Sequence, residues 1–208
     1  MHASSAGRLE HAITESIPVV ISERHVHLAQ DVIEQLFCDH YQLHEESRVS
    51  QPSQFAARES VTLVGPRGRI ANVRVIGPPR AHNQVEISEA DGELLGISAP
   101  LRETGDLKDT PGVSVEGPRA RVRLAHGVIR ALRHIHLHPL DAAGQGLRDG
   151  DRIDVCVDGT SSALFAAVLV RVSPVFRSEL HIDADDARAS GLQAGALVAL
   201  QMNSRQAG

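Results

Sequence analysis

The sequence predicts a mainly β fold, and three observations carry that prediction. About eleven short apolar or alternating segments recur along 208 residues, with Gly and Pro turns between them. Such spacing favours barrels or sandwiches over βαβ units. About three stretches read as helices, each short. Neither a GxGxxG fingerprint nor a phosphate-binding P-loop is present, which leaves a nucleotide-binding α/β fold without support.

The elements follow in order. Pro18 to Ser22 (PVVIS) is apolar and β-branched, hence a strand. Ala29 to Phe37 carries Val32, Ile33, Leu36 and Phe37 at helical spacing. A polar loop is expected to about Gln54. Val61 to Pro78 reads as two strands hinged at Gly65-Pro66-Arg67-Gly68. Gln84 to Ser88 is another strand, and Ser98 to Gly112 is a loop rich in breakers. VSVEGP, RVRLA and GVIRAL supply three more strands, and Pro139 to Gln145 a helical turn. RIDVCV, ALFAAVLVRV, SELHID and ALVALQM make the C-terminal half β-rich. Ala184 to Ser190 reads as a short helix with Asp183 as N-cap.

Composition excludes several classes. The net charge is −5 and aromatics are 2%, which argues against a general nucleic-acid surface or a base-stacking platform. Hydrophobic residues at 42% are enough for a core. The longest apolar run, Ala163 to Val170, is too short to span a bilayer. The first residues show no secretory h-region, and two cysteines make no disulfide scaffold. A soluble, intracellular protein is expected. Lys108 is the sole lysine, so its basic side is otherwise arginine.

The sharpest chemical signal is a repeated string. Arg24-His25-Val26-His27-Leu28 is echoed by Arg133-His134-Ile135-His136-Leu137. Residues i and i+2 of a strand share a face, so each pair presents two imidazoles side by side, as a strand does when it chelates a metal. VTLVGP and VSVEGP form a second, weaker echo. Two copies of a β unit would account for both. His181 in SELHID and Glu86 in QVEIS are further ligand candidates. Five histidines and one glutamate suit one or two zinc-like ions with an open position. Cys38 and Cys156 lack a CxxC partner and read as structural. Arg80 is a candidate anion clamp, because a guanidinium forks onto phosphate; Arg102 is a weaker one.

These strings resemble a known family. SERHVHL, QPSQFAARESVTLVGPRG, VRVIGPPRAHNQVEIS, APLRETGD, RHIHLHP, LRDGDRIDV, LVRVSP and ELHIDADDA follow, in order, the pattern of the PduL-type phosphotransacylases. These are the phosphate propanoyltransferases associated with bacterial microcompartments. The resemblance runs from about Pro18 to about Leu200. It implies two tandem closed β-barrels with a few short capping α-helices. The first barrel would comprise 14–23 plus 132–201 and the second 24–131, with 1–13 as a flexible leader or encapsulation peptide. Leu9, Ile13 and Ile17, at i, i+4 and i+8, are the apolar face such a leader would use.

The resemblance also implies a site. His25, His27 and Glu86 match the ligands of one zinc ion, which also takes the coenzyme A sulfur. His134, His136 and His181 match those of a second zinc ion. Arg80 matches a phosphate-binding, catalytic arginine, and Ser22, Arg74 and Ile76 match positions lining the coenzyme site. Arg188 stands where the family often has Asn, and Asn83 where it commonly has Thr. The implied reaction interconverts a short-chain acyl-CoA (propionyl-CoA or acetyl-CoA) and phosphate with acyl phosphate and CoA. A homodimer is implied, in the cytoplasm or inside a microcompartment with shell or core proteins as partners. Two other readings use the same ligands: a dinuclear zinc hydrolase acting on acyl phosphates or thioesters, and a non-catalytic barrel with structural zinc. The hydrolase would need no CoA to cleave an acyl phosphate. Structural zinc is usually four-coordinate and often uses Cys, which six ligands without Cys fit poorly.

Overall fold

The computed structural model describes residues 16–157 and 163–201. Among them are fifteen strands and four short helices. The strands are β1 (Ser16–Ser22), β2 (His25–His27), β3 (Glu45–Arg48), β4 (Phe55–Val64), β5 (Arg69–Gly77), β6 (Gln84–Glu86), β7 (Leu101–Arg102), β8 (Val113–Glu116), β9 (Arg121–Leu124), β10 (Val128–Ala131), β11 (His134–Leu137), β12 (Arg152–Val157), β13 (Ala163–Val172), β14 (Glu179–Asp183) and β15 (Leu197–Gln201). The helices are α1 (Gln30–Leu36), α2 (Glu89–Leu95), α3 (Pro139–Gly144) and α4 (Ala184–Ser190). No helix of the described residues is long and apolar enough to cross a membrane.

The mainly β expectation holds. Strands β1-β14-β11-β13-β12-β15 close into a barrel. A second, nine-stranded sheet runs β7-β10-β6-β2-β5-β4-β8-β9, with β3 against β4. It curls as a half-barrel around its own core, and its end strands β7 and β9 are not paired with each other. Each unit has a separate apolar centre. Val26, Val75 and Val85 point into the sheet's core with Leu28, Ile33 and Leu63. Ile135, Leu137, Val170, Leu180 and Ile182 point into the barrel. Strand alternation then sends the intervening residues to the outer faces.

The two units exchange strands. β1 lies in the barrel, and the chain crosses after Ser22 into β2 of the sheet. β10 lies in the sheet, and the chain crosses back into β11 of the barrel. The exchange has matching registers. Val20 pairs with His181 on β14, and Ile129 pairs with Glu86 on β6. Each partner residue lies five positions before the first histidine of its RHxH string. The stronger echo is therefore structural. The weaker one is not a relation between the units, because VTLVGP and VSVEGP are neighbours in one sheet, where Leu63 pairs with Val115.

The motif arginines anchor the capping helices. Each strand that carries a third candidate ligand, Glu86 or His181, runs into a helix: β6 into α2 and β14 into α4. Ser88 caps α2 and Asp183 caps α4 with side-chain acceptors, which satisfy otherwise unpartnered N–H groups. Gly96 (φ 71°) and Gly191 (φ 72°) end them in the left-handed conformation that favours glycine. Arg24 grips Asp91 through Nε (3.0 Å) and Nη2 (2.9 Å). Arg133 reaches Asp186 at 2.8 Å. Both aspartates lie five residues beyond the third ligand of their half. An α2–α4 contact joins the units, with the Ala90 N–H donating to Asp185 at 3.0 Å.

Some boundaries differ from the sequence expectation. The polar stretch before Gln54 contains β3, an exposed strand irregularly paired with β4. The breaker-rich segment contains β7. Helix α2 was not expected, because Gly92 interrupts its pattern; a Cβ there would approach the Ile97 carbonyl oxygen to 2.7 Å. Ile17, counted with a helical leader, is in β1 and buried in the barrel. Leu9 and Ile13, like the rest of 1–13, lie outside the described residues.

The anchors have a measurable consequence. Arg24→Ala leaves Asp91, 3% exposed, without its cation, and should cost about 2 kcal/mol, or roughly 4–8 °C in Tm. Arg48→Ala removes a 3.8 Å pair on a side chain 90% exposed and should change stability by less than about 0.5 kcal/mol. Urea unfolding of both variants checks this, and equal midpoints would remove the anchoring role.

Candidate active site between the two units

The outer faces of β2, β6, β11 and β14 carry the candidate ligands. His25 pairs with Glu86 across β2 and β6. His134 pairs with His181 across β11 and β14. Adding the second histidine of each HxH gives two trios, His25–His27–Glu86 and His134–His136–His181. Within each, one potential ligand atom per residue lies within 4.8 Å of the others. Glu86 of the first trio and His134 and His181 of the second line a common cleft, with Ser22, Arg24 and Asp183 among others.

The rings are held in place by the chain itself. Nδ1 of His25 donates to the Glu23 carbonyl at 2.8 Å, and Nδ1 of His134 to the Leu132 carbonyl at 2.7 Å. Both acceptors are two residues upstream, so the two halves share this device. A carbonyl can only accept, which places the proton on Nδ1 and leaves Nε2 its lone pair. His27 Nδ1 similarly meets the Ile76 carbonyl at 3.2 Å. Ring centroids of His134 and His181 stack at 4.9 Å, and that of His136 lies 4.6 Å from His181.

Electrostatics keep these groups ready to donate lone pairs. Burial, then the charges of His25 and Arg80, lowers the His27 pKa to about 3. Burial and neighbouring His181 lower His134 to about 4. Burial also drives His136 far below the ordinary imidazole value, with His134, His181 and Arg171 adding to it. All three are neutral near pH 7. For Glu86, burial acts to raise the pKa, but Arg80 and the imidazoles of His25, His27 and His134 when protonated outweigh it and hold the carboxyl below its usual range. Its Oε1 accepts from Gln84 Nε2 at 2.6 Å and from the Thr104 hydroxyl at 3.2 Å.

The donor set fits divalent metal. Both ring nitrogens of His136 are buried without a hydrogen bond. A buried polar atom left so costs about 1–3 kcal/mol, and a cation bound by the lone pair of one of them would offset that atom's share. Three nitrogen or carboxylate donors per trio leave open positions, the pattern of catalytic zinc-like sites. His181 Nε2 also lies 3.3 Å from Glu179 Oε2. Glu179 is in turn held by Gln51 Nε2 at 2.6 Å, a tie from the β3–β4 loop to the barrel.

The remaining candidates divide. Arg80 is half-buried in the loop after β5, its N–H donating to the Leu28 carbonyl at 2.9 Å. Its charge acts on His27 and Glu86, and its backbone is tied to Leu28, the residue after His27. Ser22 lines the cleft. Arg74 is exposed on β5 and register-paired with His25, while Ile76 is buried and supports His27 through its carbonyl. Arg102 is spent nearer home, 3.5 Å from Asp106. Asn83 accepts the Ala29 N–H at 2.8 Å and so steadies the start of α1. Arg188 is 73% exposed and paired with Asp185 at 2.8 Å. Neither Cys38 nor Cys156 belongs to a trio. Sequence reasoning missed Gln84, Thr104, Gln51 and Glu179. Gln84 and Glu179 carried a signal, since each stands two residues before a ligand on the same strand face.

Comparison with known proteins agrees with this geometry. A family model described as phosphate propanoyltransferase matches residues 18–193. The phosphate propanoyltransferase of Salmonella typhimurium is 48% identical over 176 residues, covering 84% of this chain and 83% of that protein. Those of Thermotoga maritima and Rhodopseudomonas palustris are 46% and 47% identical, covering 88% and 83% of this chain and 87% and 76% of the relatives. The chain therefore belongs to the phosphate propanoyltransferase family and is an acyltransferase of the phosphotransacylase type.

Proposed function

We propose that this acyltransferase is zinc-dependent and interconverts a short-chain acyl-CoA, propionyl-CoA or acetyl-CoA, plus phosphate with the acyl phosphate plus CoA. The observation that carries the reading is the pair of register-matched trios on one cleft, with Arg80 beside them. His25, His27 and Glu86 would hold one ion, and His134, His136 and His181 a second. Bound there, the ions supply Lewis acidity toward the thiol sulfur and the acyl oxygen.

The chain's own groups account for the rest. Arg80 forks onto the phosphate, offsets its charge and orients one oxygen toward the thioester carbon. Attack forms a carbon–oxygen bond and breaks the carbon–sulfur bond, and CoA leaves as thiolate. Gln84 and Thr104 keep Glu86 oriented and ionised through the reaction. Ser22, Arg74 and Ile76 would receive the coenzyme. No acyl-enzyme is needed, consistent with both cysteines lying outside the trios. The crossings after Ser22 and after Ala131 support a division into 14–23 plus 132–201 and 24–131.

Purified protein given propionyl-CoA should release CoA only when phosphate is present. The release should vanish with a chelator and return with zinc, as read by a thiol-reactive dye. Release that ignores phosphate would replace the transferase reading with a hydrolase.

A second measurement addresses the ligands. His134→Ala should reduce turnover by more than about 100-fold and lower bound zinc from about two per chain to about one. Metal analysis beside circular dichroism checks it; full zinc content in a folded variant would remove His134 from the ligand set.

A further inference from the structure

We propose that Arg171 is a second anion-binding residue, which grips the phosphoryl group of phosphate or acyl phosphate together with Arg80. The inference rests on the phosphate acyltransferase reading and deepens it.

Strand pairing places Arg171. β13 runs parallel to β11, and Arg171 is the register partner of His136. Ile135, Leu137 and Val170 fill the barrel interior, so Arg171 and His136 share the outer face, toward the second unit. The matching position beside His27 in the other half is Ile76, since β2 and β5 pair in parallel with His25 opposite Arg74. The halves are therefore equivalent in backbone but not in charge. An arginine stands beside the second histidine in one half only.

Packing fixes its direction. After β13 the chain turns and lays the Phe176 ring over His136, with centroids 4.0 Å apart and planes at 21°. The Arg171 guanidinium lies 5.9 Å from the Phe176 ring centre, within reach of the cation–π attraction that steadies an arginine side chain. Phe176 thus bridges the second trio and Arg171. Arg171 and Phe176 line a cavity of about 440 Å³, with Glu103, Asp149, Arg152 and Ser173 at its walls. The carboxylates there are engaged by other groups of the same wall. Glu103 is 3.7 Å from Arg152, and Asp149 accepts the Val172 N–H at 2.8 Å.

Charge completes the case. Arg24 and Arg133 end on aspartates, whereas neither Arg80 nor Arg171 forms an ion pair among the described residues. Arg171 stands beside His136 in register, and its charge reaches Arg80. Two guanidinium groups that repel across half-buried ground leave a positive field that Glu86 and Glu179 only partly offset. A doubly charged phosphoryl group between them removes that repulsion and offers each fork an oxygen pair.

The test uses the full-length, zinc-loaded enzyme and its Arg171→Gln and Arg171→Lys variants. Arg171→Gln should raise the KM for phosphate about 10- to 100-fold. Lysine, a point charge without the fork, should fall between it and the unaltered enzyme. The KM for propionyl-CoA should stay within about twofold. Inorganic phosphate should raise the Tm of the unaltered protein, and that shift should shrink in Arg171→Gln. Unchanged phosphate KM and unchanged phosphate-induced shift would overturn the proposal. So would a rise in propionyl-CoA KM alone, which would assign Arg171 to the coenzyme's phosphates. Should Arg171→Gln fail to fold by circular dichroism, Arg171→Lys decides. If the unaltered enzyme shows no phosphate-dependent CoA release, the functional reading fails separately, and the thermal shift still decides whether Arg171 holds phosphate.

Discussion

Everything in the site depends on which strands lie beside β2 and β11. A histidine pair on one strand supplies two donors at most, and a third must come from a neighbour in fixed register. Antiparallel β6 and β14 provide it at equivalent positions, Glu86 opposite His25 and His181 opposite His134. A one-residue slip would turn each third ligand into an apolar core. What prevents the slip is Val85 on β6 with Ile87 just beyond its end, and Leu180 and Ile182 on β14, all buried. The hydrophobic effect thus sets the position of polar groups it does not touch.

The strand exchange explains how two separate cores come to share one cleft. β1 pairs with β14 and β10 with β6, so each unit holds a strand whose continuation enters the other. The chain between them is only two residues long at each crossing, Glu23-Arg24 and Leu132-Arg133. Those residues do more than connect. The Glu23 and Leu132 carbonyls orient the first histidines, and Arg24 and Arg133 bind the aspartates of α2 and α4. The ligand frame and the capping helices are therefore positioned by the same dipeptides, which is a physical reason for the arginine before each HxH.

Much of this was legible in the sequence. The period-2 strands, the hairpin at Gly65 to Gly68, the helix after Asp183 and the two HxH pairs all rest on short-range rules, and they stand in the structure. Glu86, His181 and Arg80 stand out as candidates from their strand and turn settings, and the resemblance assigned them roles; Ser22, Arg74 and Ile76 entered through the resemblance alone. What stayed hidden depends on distant pairing. Gln51 reaches Glu179 across 128 positions, and nothing near either residue announces it. Helix α2 was obscured by Gly92, which is there because the Ile97 carbonyl leaves no room for a side chain. The second unit's closure is another such case. Whether a curled sheet joins its end strands is decided by their lengths, and β7 is two residues long, too short a pairing edge to read from composition.

The near-symmetry of the backbone makes its exceptions informative. Two halves related by matched registers could hold two identical metal sites, yet the third ligand is a carboxylate in one and an imidazole in the other. Glu86 brings a negative charge to its trio, whereas the His134–His136–His181 trio contains no carboxylate. The same cation would be a weaker Lewis acid at the first trio than at the second. The arginines follow the asymmetry: Arg80 lies beside the acidic trio, and Arg171 beside the neutral one. Duplication of the strands builds a frame with two places for chemistry. A few substitutions on its outer faces, where core packing exerts no constraint, make those places unequal.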